Sequence, residues 1–347
     1  MLQRYTFINH PVNEYNKGLF IFFRNIENVG SADIFDPKKY FPSILAKKAK
    51  KNNKLYKKSE AFFNKYKRLR KTKKNVFDAF FNMNKIDDMF QNKSPRVTKK
   101  DLPPSIRKET DDLFKHLYYN TLKNEIKSHY EKFVELQDNN WCAFCGMEQL
   151  QHFTHQKQDY DHLLTRVTYP FAAINMKNLA PMGLKCNRTH KKTKDLILSL
   201  GRQCKGVNPY YRKITVKINF KGTLLPSALD RKGKWSIEFS PKCEEVTRWN
   251  EVFNIEDRII KDLFTSGKKT DFDLWIDDFV KIYRRKKRLS PMSEPQVRNA
   301  FKEYAKSFIS ERYRDKRYVK YHLFMWISTK ASSSFIKARQ RALNYNA

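Results

Sequence analysis

The chain has 347 residues, of which 71 are Lys or Arg and 36 are Asp or Glu, so its formal net charge is +35. Hydrophobic residues make up 40% of the chain and aromatic residues 14%, which is enough apolar material for a core and excludes wholesale disorder. A positive excess of this size attracts polyanions, so nucleic acid is the expected partner, with a charge that serves only solubility as the alternative.

The sequence gives no sign of a membrane or secreted protein. Its apolar runs fall well short of the roughly 18 residues of a membrane span, and residues 1–8 lack the pattern of a signal peptide. Five cysteines are too few and too irregular for a disulfide framework. We therefore expect a cytoplasmic protein without a membrane partner.

The N-terminal 100 residues are predicted to form a basic, largely helical region that binds nucleic acid. Within it, the short apolar run GLFIFF at residues 18–23 predicts a buried strand. Residues 47–74 contain fourteen Lys or Arg against one acid, Glu60, and no Gly or Pro, which favours helix.

The charge of residues 47–74 predicts a surface that follows the phosphates of a nucleic acid, because an uncompensated run needs a counter-charge. A solvated helix face is the alternative. The residues chosen to represent this surface are Lys65, Lys67, Arg68 and Arg70.

A polar linker at residues 92–104 precedes a second helical segment. Apolar residues then recur every three to five positions from Leu113 to Phe133, which predicts a helix reaching about Leu136. The polar run that starts at Gln137 ends this helix.

The C-terminal third begins with a sheet and continues with helices. Alternating apolar residues at 214–220 and 235–239 predict a small antiparallel sheet. From Glu244 the pattern is helical, including residues 273–288 and 297–308. The basic run at 284–288 ends a helix, where cations also suit the helix dipole, so it indicates a second DNA contact and a capping role equally.

The central segment starts with Cys142 and Cys145, a CxxC pair closed by Gly146. Two thiolates at this spacing can bind one metal ion while the glycine lets the backbone turn tightly, as in a zinc knuckle. A redox pair has the same spacing and would be the alternative.

The ordered stretches WCAFCG (141–146), DYDHLLTRVTYP (159–170) and NLAPMGLKCNRTHKKTKD (178–195) resemble the HNH endonuclease motif. The resemblance covers about 55 residues. It implies a ββα-metal, treble-clef-like finger, in which two strands and a helix surround one catalytic divalent ion, often beside a separate zinc. The expected fold is α+β: a mainly helical chain with this central finger and a small antiparallel sheet after it.

The resemblance also divides the chain into three predicted regions. Residues 1–100 bind nucleic acid, residues 101–200 contain a helix and the HNH nuclease domain with its finger core at 141–195, and residues 201–347 hold the small sheet and a helical C-terminal region.

The family's roles transfer to four positions. Asp161 would be a ligand of the catalytic ion and His162 the general base that deprotonates the attacking water. Asn178 would brace the loop between the strands, and Asn187 would be the second ligand. Carboxylate and amide oxygens are hard ligands that suit Mg²⁺ or Mn²⁺, and the unperturbed pKa of histidine suits a base near neutral pH.

The structural zinc would bind Cys142, Cys145 and Cys186, but Gly183 stands where the family commonly has a fourth cysteine. His190 lies four residues after Cys186, on the same face of an α-helix, and is the first candidate for the fourth ligand. Weaker candidates are His152, His155 and Cys204. Without zinc, Cys186 would be a buried thiol.

Cations around the finger are predicted to contact nucleic acid, with solvated side chains as the alternative for the first of them. They are Arg166, Lys191, Lys192 and Lys194.

The resemblance implies hydrolysis of phosphodiester bonds in DNA, most naturally double-stranded, with one strand nicked per finger. It extends to restriction enzymes and, more weakly, to nuclease subunits of bacterial antiphage systems, and so implies a second copy of the chain or an ATPase subunit as partner. Two alternatives stay open: a zinc-stabilised nucleic-acid-binding module without catalysis, and an HNH nuclease that acts on RNA.

Overall fold

The computed structural model describes residues 3–137, 139–154, 159–211, 214–227, 230, 232–286, 291–310 and 314–344, without the side chains of residues 123, 124 and 286. The chain forms two compact units. The N-terminal unit comprises Arg4–Asn140 and Leu150–Arg212, and the C-terminal unit comprises Met1–Gln3, Trp141–Gln149 and Lys213–Ala347. Each is described by itself below.

The N-terminal unit is mainly helical. Its helices are α1 (Asn13–Ile26), α2 (Pro37–Tyr40), α3 (Ser43–Lys51), α4 (Asn53–Tyr66), α5 (Lys73–Met83), α6 (Ile86–Phe90), α7 (Pro104–His116) and α8 (Lys123–Leu136). The prediction of a strand at residues 18–23 is wrong, because these residues lie within α1 and bury Leu19, Phe22 and Phe23 at helical spacing. At Gly18 a Cβ atom would lie 3.0 Å from Pro42 Cγ, so glycine allows α1 and the start of α3 to approach closely.

The predicted basic helix over residues 47–74 is confirmed in part: α3 and α4, separated by Asn52, cover it to Tyr66, and residues 67–72 form a turn before α5 begins at Lys73. The side chain of Asn52 accepts a hydrogen bond from the Leu55 amide and caps the start of α4. Helix α4 packs against α7 and buries Phe62 and Phe63, while its charged face points to solvent.

The predicted helix reaching Leu136 is also confirmed. Helix α7 continues through a π-helical segment, Leu117–Leu122, into α8, and Pro104 opens α7 at a position where its missing N–H costs nothing. The π segment changes the direction of the side chains, and it carries Tyr118 and Tyr119.

The strands of the N-terminal unit are short. Strand β1 (Tyr160–His162) pairs antiparallel with β2 (Leu179–Pro181), and β3 (Leu198–Ser199) pairs with β4 (Arg202–Gln203). A π-helical turn, Lys185–Lys191, follows β2.

The C-terminal unit contains the predicted small antiparallel sheet, formed by β5 (Lys217–Asn219) and β6 (Glu238–Ser240). The prediction is confirmed, although both strands are shorter than the alternating patterns suggest. The helices that follow are α9 (Glu244–Phe253), α10 (Ile255–Arg258), α11 (Asp271–Lys286), α12 (Glu294–Lys306), α13 (Arg317–Lys330) and α14 (Ser333–Asn344), with a π-helical segment at Ile259–Thr265.

The fold is therefore mainly helical with small two-stranded antiparallel sheets, as the α+β prediction requires in general terms. Residues 4–140 and 150–212 share a unit, whereas residues 141–149, the start of the predicted finger core, belong to the C-terminal unit. In the part of the chain that the structure describes, no helix combines the length and the apolar character needed to cross a membrane.

Candidate active site and metal-binding cysteines

The hairpin of β1 and β2 holds the predicted Asp-His pair. Asp161 lies opposite Ala180 and His162 opposite Leu179, and the loop between the strands folds back through two short 3-10 turns. The hairpin therefore fixes the backbone of the pair, while side chains of the loop and of the turn after β2 decide its chemistry.

Asn178 ties this loop together. Its side chain is fully buried, its Oδ1 accepts a hydrogen bond from the Leu164 amide at 2.7 Å, and its Nδ2 donates to the carbonyls of Leu164 and Ala172 at 3.0 and 3.1 Å. The Asn178 carbonyl also accepts from the Leu163 amide at 2.8 Å. These bonds connect the residues that follow His162 to the end of the loop, which is the geometry that a bracing role needs.

The ring of His162 is held through one nitrogen, and its other nitrogen can accept a proton. Nε2 lies 3.0 Å from the carbonyl oxygen of Ala173, and since a carbonyl can only accept, Nε2 carries the proton. The lone pair is therefore on Nδ1. Burial lowers the pKa of His162 to about 3, and the charges of Lys191 and Arg166 act in the same direction. The imidazole is neutral at physiological pH.

Lys191 was predicted to contact nucleic acid, and its position contradicts that. Its side chain is fully buried, with Nζ 2.7 Å from Asp161 Oδ2 and donating a hydrogen bond to the His162 carbonyl at 2.8 Å. Burial raises the pKa of Asp161, and the ammonium of Lys191 opposes that rise. Lys191 therefore balances the charge of the carboxylate at the centre of the site.

The π-helical turn that carries Lys191 also carries Asn187. The backbone N–H of Lys192 donates to the Asn187 carbonyl at 2.8 Å, an i to i−5 bond of the kind that defines a π-helix. The backbone N–H of Asn187 donates to the Gly183 carbonyl. A second ion pair, Arg188 to Asp159 at 2.7 Å, adds to the Lys191–Asp161 pair. These two pairs hold the turn against β1, and Asn187, which is half-buried, directly precedes Arg188.

The sequence did not predict the two aromatic side chains that lie beside the site, Tyr118 and Tyr119. The ring centroid of Tyr118 lies 4.4 Å from that of His162, and its hydroxyl donates to the Tyr160 carbonyl at 3.3 Å. The guanidinium of Arg166, a predicted phosphate contact, lies 5.6 Å above the ring of Tyr119. No local signal links the π segment of residues 117–122 to a hairpin some forty residues later.

The basic surface predicted on α3 and α4 is exposed. Helix α4 and the turn after it present one line of side chains at helical spacing, which we call the basic stripe: Lys54, Lys57, Lys65 and Arg68. Among the described residues, none of these four has a carboxylate within ion-pair distance. With 1.5 Å of rise per residue, the stripe is about 21 Å long.

The positive field of this surface reaches its neighbours. The pKa of His116, on the helix against which α4 packs, is lowered by burial first and then by the charges of Lys58 and Lys54. This stripe is therefore a place where an anion would be stabilised.

The remaining predicted cations divide into exposed and engaged side chains. Arg70, Lys192 and Lys194 are exposed. Lys67 is half-buried, and its ammonium donates to the Asp33 carbonyl at 2.6 Å, so it helps to hold the segment between α1 and α2 and is a poor phosphate contact.

The CxxC segment of the C-terminal unit has the local geometry of a metal knuckle. The Gly146 amide donates to the Cys142 carbonyl at 2.8 Å, Gly146 has φ 62°, and the Met147 amide points to Cys145 Sγ at 3.4 Å. The indole N–H of Trp249 donates a hydrogen bond to the Phe144 carbonyl at 2.6 Å and so stabilises the turn. An amide directed at a sulfur favours the thiolate form, which is the form that binds metal.

The thiols of Cys142 and Cys145 in the C-terminal unit are buried and unoxidised, and so is the thiol of Cys186 in the N-terminal unit. Thiolates are the form in which cysteines bind zinc.

His190, the first candidate for the fourth ligand, lies half-buried in the π-helical turn Lys185–Lys191, and its role as a ligand stays a prediction. His152 lies at the surface with Nδ1 2.7 Å from Thr154 Oγ1, and Cys204 is buried elsewhere. His155 lies outside the described residues.

Comparison of the chain with known protein families, with curated proteins and with solved structures finds no match.

Proposed function

We propose that the protein is a metal-dependent endonuclease that hydrolyses phosphodiester bonds in DNA. The observation that carries the proposal is the orientation of His162, whose ring is fixed by the Ala173 carbonyl at Nε2 and which is next in sequence to Asp161, the carboxylate paired with the buried Lys191. A hydrolase that attacks a phosphodiester needs a base oriented in this way. The resemblance to HNH endonucleases rests on the same residues.

In the proposed reaction Nδ1 of His162 accepts a proton from the attacking water, whose oxygen then bonds to phosphorus while the bond to the 3′ oxygen breaks. Asn178 and Ala173 keep the ring in one orientation during this transfer. The aromatic ring of Tyr118 packs beside His162 and limits the other positions that the imidazole could take.

The carboxylate of Asp161 and the side-chain amide of Asn187 would hold the divalent ion, Mg²⁺ or Mn²⁺. The donor set fits a hard cation, and a buried carboxylate that now relies on Lys191 for charge balance fits a site built for positive charge. When bound, the ion would stabilise negative charge on the phosphoryl and leaving oxygens. Lys191 would keep Asp161 in place before the ion arrives.

The basic stripe is the proposed contact with the DNA backbone. Because phosphate contacts do not depend on base sequence, the stripe explains affinity and leaves the target sequence open. Defence against foreign DNA, as a restriction or antiphage nuclease with a second copy or an ATPase subunit as partner, is the setting that the resemblance to HNH enzymes suggests.

Cleavage of supercoiled plasmid with Mg²⁺ or Mn²⁺ tests the proposal. We expect nicking by the wild type, none with EDTA, and a loss of about 10²–10⁴ in rate for His162→Ala. The matched control is His152→Ala, which removes an exposed histidine of the same unit and should nick as the wild type does. Nicking that survives His162→Ala would overturn the assignment of the base, and labelled RNA in place of plasmid tests the RNA alternative.

A second candidate function is a zinc-stabilised nucleic-acid-binding module without catalysis, which the buried CxxC pair of Cys142 and Cys145 favours. In that case zinc removal would unfold part of the chain and abolish DNA binding, whereas His162→Ala would change neither. The absence of nicking by a well-folded, DNA-binding wild type would favour this candidate.

A further inference from the structure

The C-terminal unit has a basic groove that the proposed active site does not use. One hollow of about 740 Å³ lies between α11 and α14, and a neighbouring hollow of about 1120 Å³ continues from it past the start of α14 to the segment 223–227. The two hollows share Asp277, Ala338 and Arg339, so they form one continuous groove.

The charges along this groove are strongly unequal. Four of its cations have no carboxylate partner within ion-pair distance in the described part of the chain: Lys268, Lys281, Arg285 and Lys330. The two acids of the groove are already engaged, because Asp277 pairs with Lys269 at 2.7 Å and Asp273 accepts hydrogen bonds from the Thr270 amide and hydroxyl. The groove therefore presents a net positive surface to a ligand.

Arg339 marks the junction of the hollows. Its guanidinium carbon lies 3.9 Å from the centroid of the Phe335 ring, a cation–π contact that restrains the side chain, and among the described residues its N–H groups have no hydrogen-bond partner. A guanidinium held in this way suits a phosphate, which can accept two parallel hydrogen bonds. Arg284 is partly committed, since its Nε donates to the Ala342 carbonyl at 2.6 Å.

The second hollow adds an aromatic surface. Trp326 is half-buried and lines the hollow near Lys330, with Leu224 and Pro226 on the opposite segment. A flat aromatic side chain beside lysines is the usual means of binding an unpaired base, because bases stack on it while the cations contact the backbone.

We propose that this groove binds a single strand of nucleic acid, with its phosphates along Arg339, Lys281 and Arg285 and a base on Trp326. This inference rests on the C-terminal unit alone and goes beyond the proposed hydrolysis. It also assigns a role to part of the basic run at residues 284–288, whose residues 287 and 288 lie outside the described part.

The test measures binding of the full chain to labelled single-stranded and duplex DNA by fluorescence anisotropy, in EDTA so that cleavage does not interfere. The groove variant is Lys281→Glu with Arg285→Glu, and a second variant is Trp326→Leu. The matched control is Lys302→Glu with Arg341→Glu, which makes the same charge change on exposed residues of α12 and α14 outside the groove.

We expect the groove variant to bind single-stranded DNA about tenfold more weakly at low salt, with a shallower salt dependence, and Trp326→Leu to weaken the single strand more than the duplex. The control should bind as the wild type does.

Equal weakening by groove and control variants would overturn the proposal that the groove binds DNA. Equal weakening of duplex and single strand by Trp326→Leu would overturn the single-strand assignment, and competition by polyglutamate as strong as that by DNA would assign the groove to acidic peptides. Plasmid nicking by the same variants, measured separately, tests the hydrolysis independently.

Discussion

The N-terminal unit carries charge in two opposite ways. At Asp161 and Lys191 the charges are buried and matched, 2.7 Å apart, whereas on the basic stripe they are exposed and unmatched. Buried, matched charges fix geometry, because each loses its solvation if the other is removed. Exposed, unmatched charges fix nothing in the fold and instead select a partner of opposite sign.

The largest effect should come from breaking the buried pair. Lys191→Met leaves the Asp161 carboxylate buried without its partner, which typically costs about 3–5 kcal/mol. Urea denaturation in EDTA measures the loss, and Lys192→Met, which changes an exposed neighbour, should stay within about 0.5 kcal/mol of the wild type. Equal stabilities for the two variants would mean that the pair does not hold the site.

The second-largest loss in the free energy of unfolding is expected from a change in the loop that follows His162. Asn178→Ala removes three side-chain hydrogen bonds and leaves backbone groups of Leu164 and Ala172 unpaired, which we expect to cost roughly 1–3 kcal/mol. Asn175→Ala, a neighbouring buried asparagine of the same loop, is the control for general loop damage. If Asn178 positions the base, its variant loses more nicking activity than the Asn175 variant at temperatures where both are folded.

A third prediction concerns pH and the helix behind β1. His129 on α8 is buried, with Nδ1 2.7 Å from the Tyr160 hydroxyl, and burial, followed by the charges of His10 and Lys132, lowers its pKa from 6.5 to about 4. The unfolded chain therefore binds a proton below about pH 6.5 and the folded chain does not. Stability is full above that pH and falls as the pH drops toward 4.

Between pH 7 and pH 5 this one group should cost about 2 kcal/mol of unfolding free energy. Urea denaturation at both pH values, for the wild type and for His129→Phe, isolates the effect, because the other titrating groups are common to both proteins. A loss of the same size in the variant would assign the pH dependence to another group.

The smallest effect on stability should come from the stripe. Lys57→Gln with Lys65→Gln should change unfolding by less than about 0.5 kcal/mol while reducing the slope of log affinity against log salt by about one per cation removed. The matched control is Lys17→Gln with Lys39→Gln, since both lysines already have acid partners, Glu14 and Asp33. The control should leave the slope nearly unchanged, and an equal change would show that net charge alone binds DNA.

The sequence predicts those parts of the fold that depend on local pattern. The helix to Leu136 and the β5–β6 sheet follow from regular periodicity, and the start of α9 at Glu244 follows from a change of period. The prediction of a strand at residues 18–23 was wrong because a short, wholly apolar stretch fits a strand and a buried helix equally.

In the candidate site too, contacts between residues far apart in sequence could not be predicted. The positions of Asp161, His162 and Asn178 follow from a motif, but the burial of Lys191 depends on a carboxylate thirty residues earlier that no local pattern reveals. The position of Tyr118 follows from a π-helical segment, which helical spacing rules assume to be absent.

We propose that the buried centre performs hydrolysis while the exposed stripe binds DNA. Single-turnover plasmid nicking at saturating protein, together with DNA affinity in EDTA, separates the two for His162→Ala and for Lys57→Gln with Lys65→Gln. We expect the first variant to lose about 10²–10⁴ in rate with unchanged affinity, and the second to lose affinity with an unchanged rate at saturation. A His162 variant that nicks at the wild-type rate, or a stripe variant that loses rate and keeps affinity, would refute this division of roles.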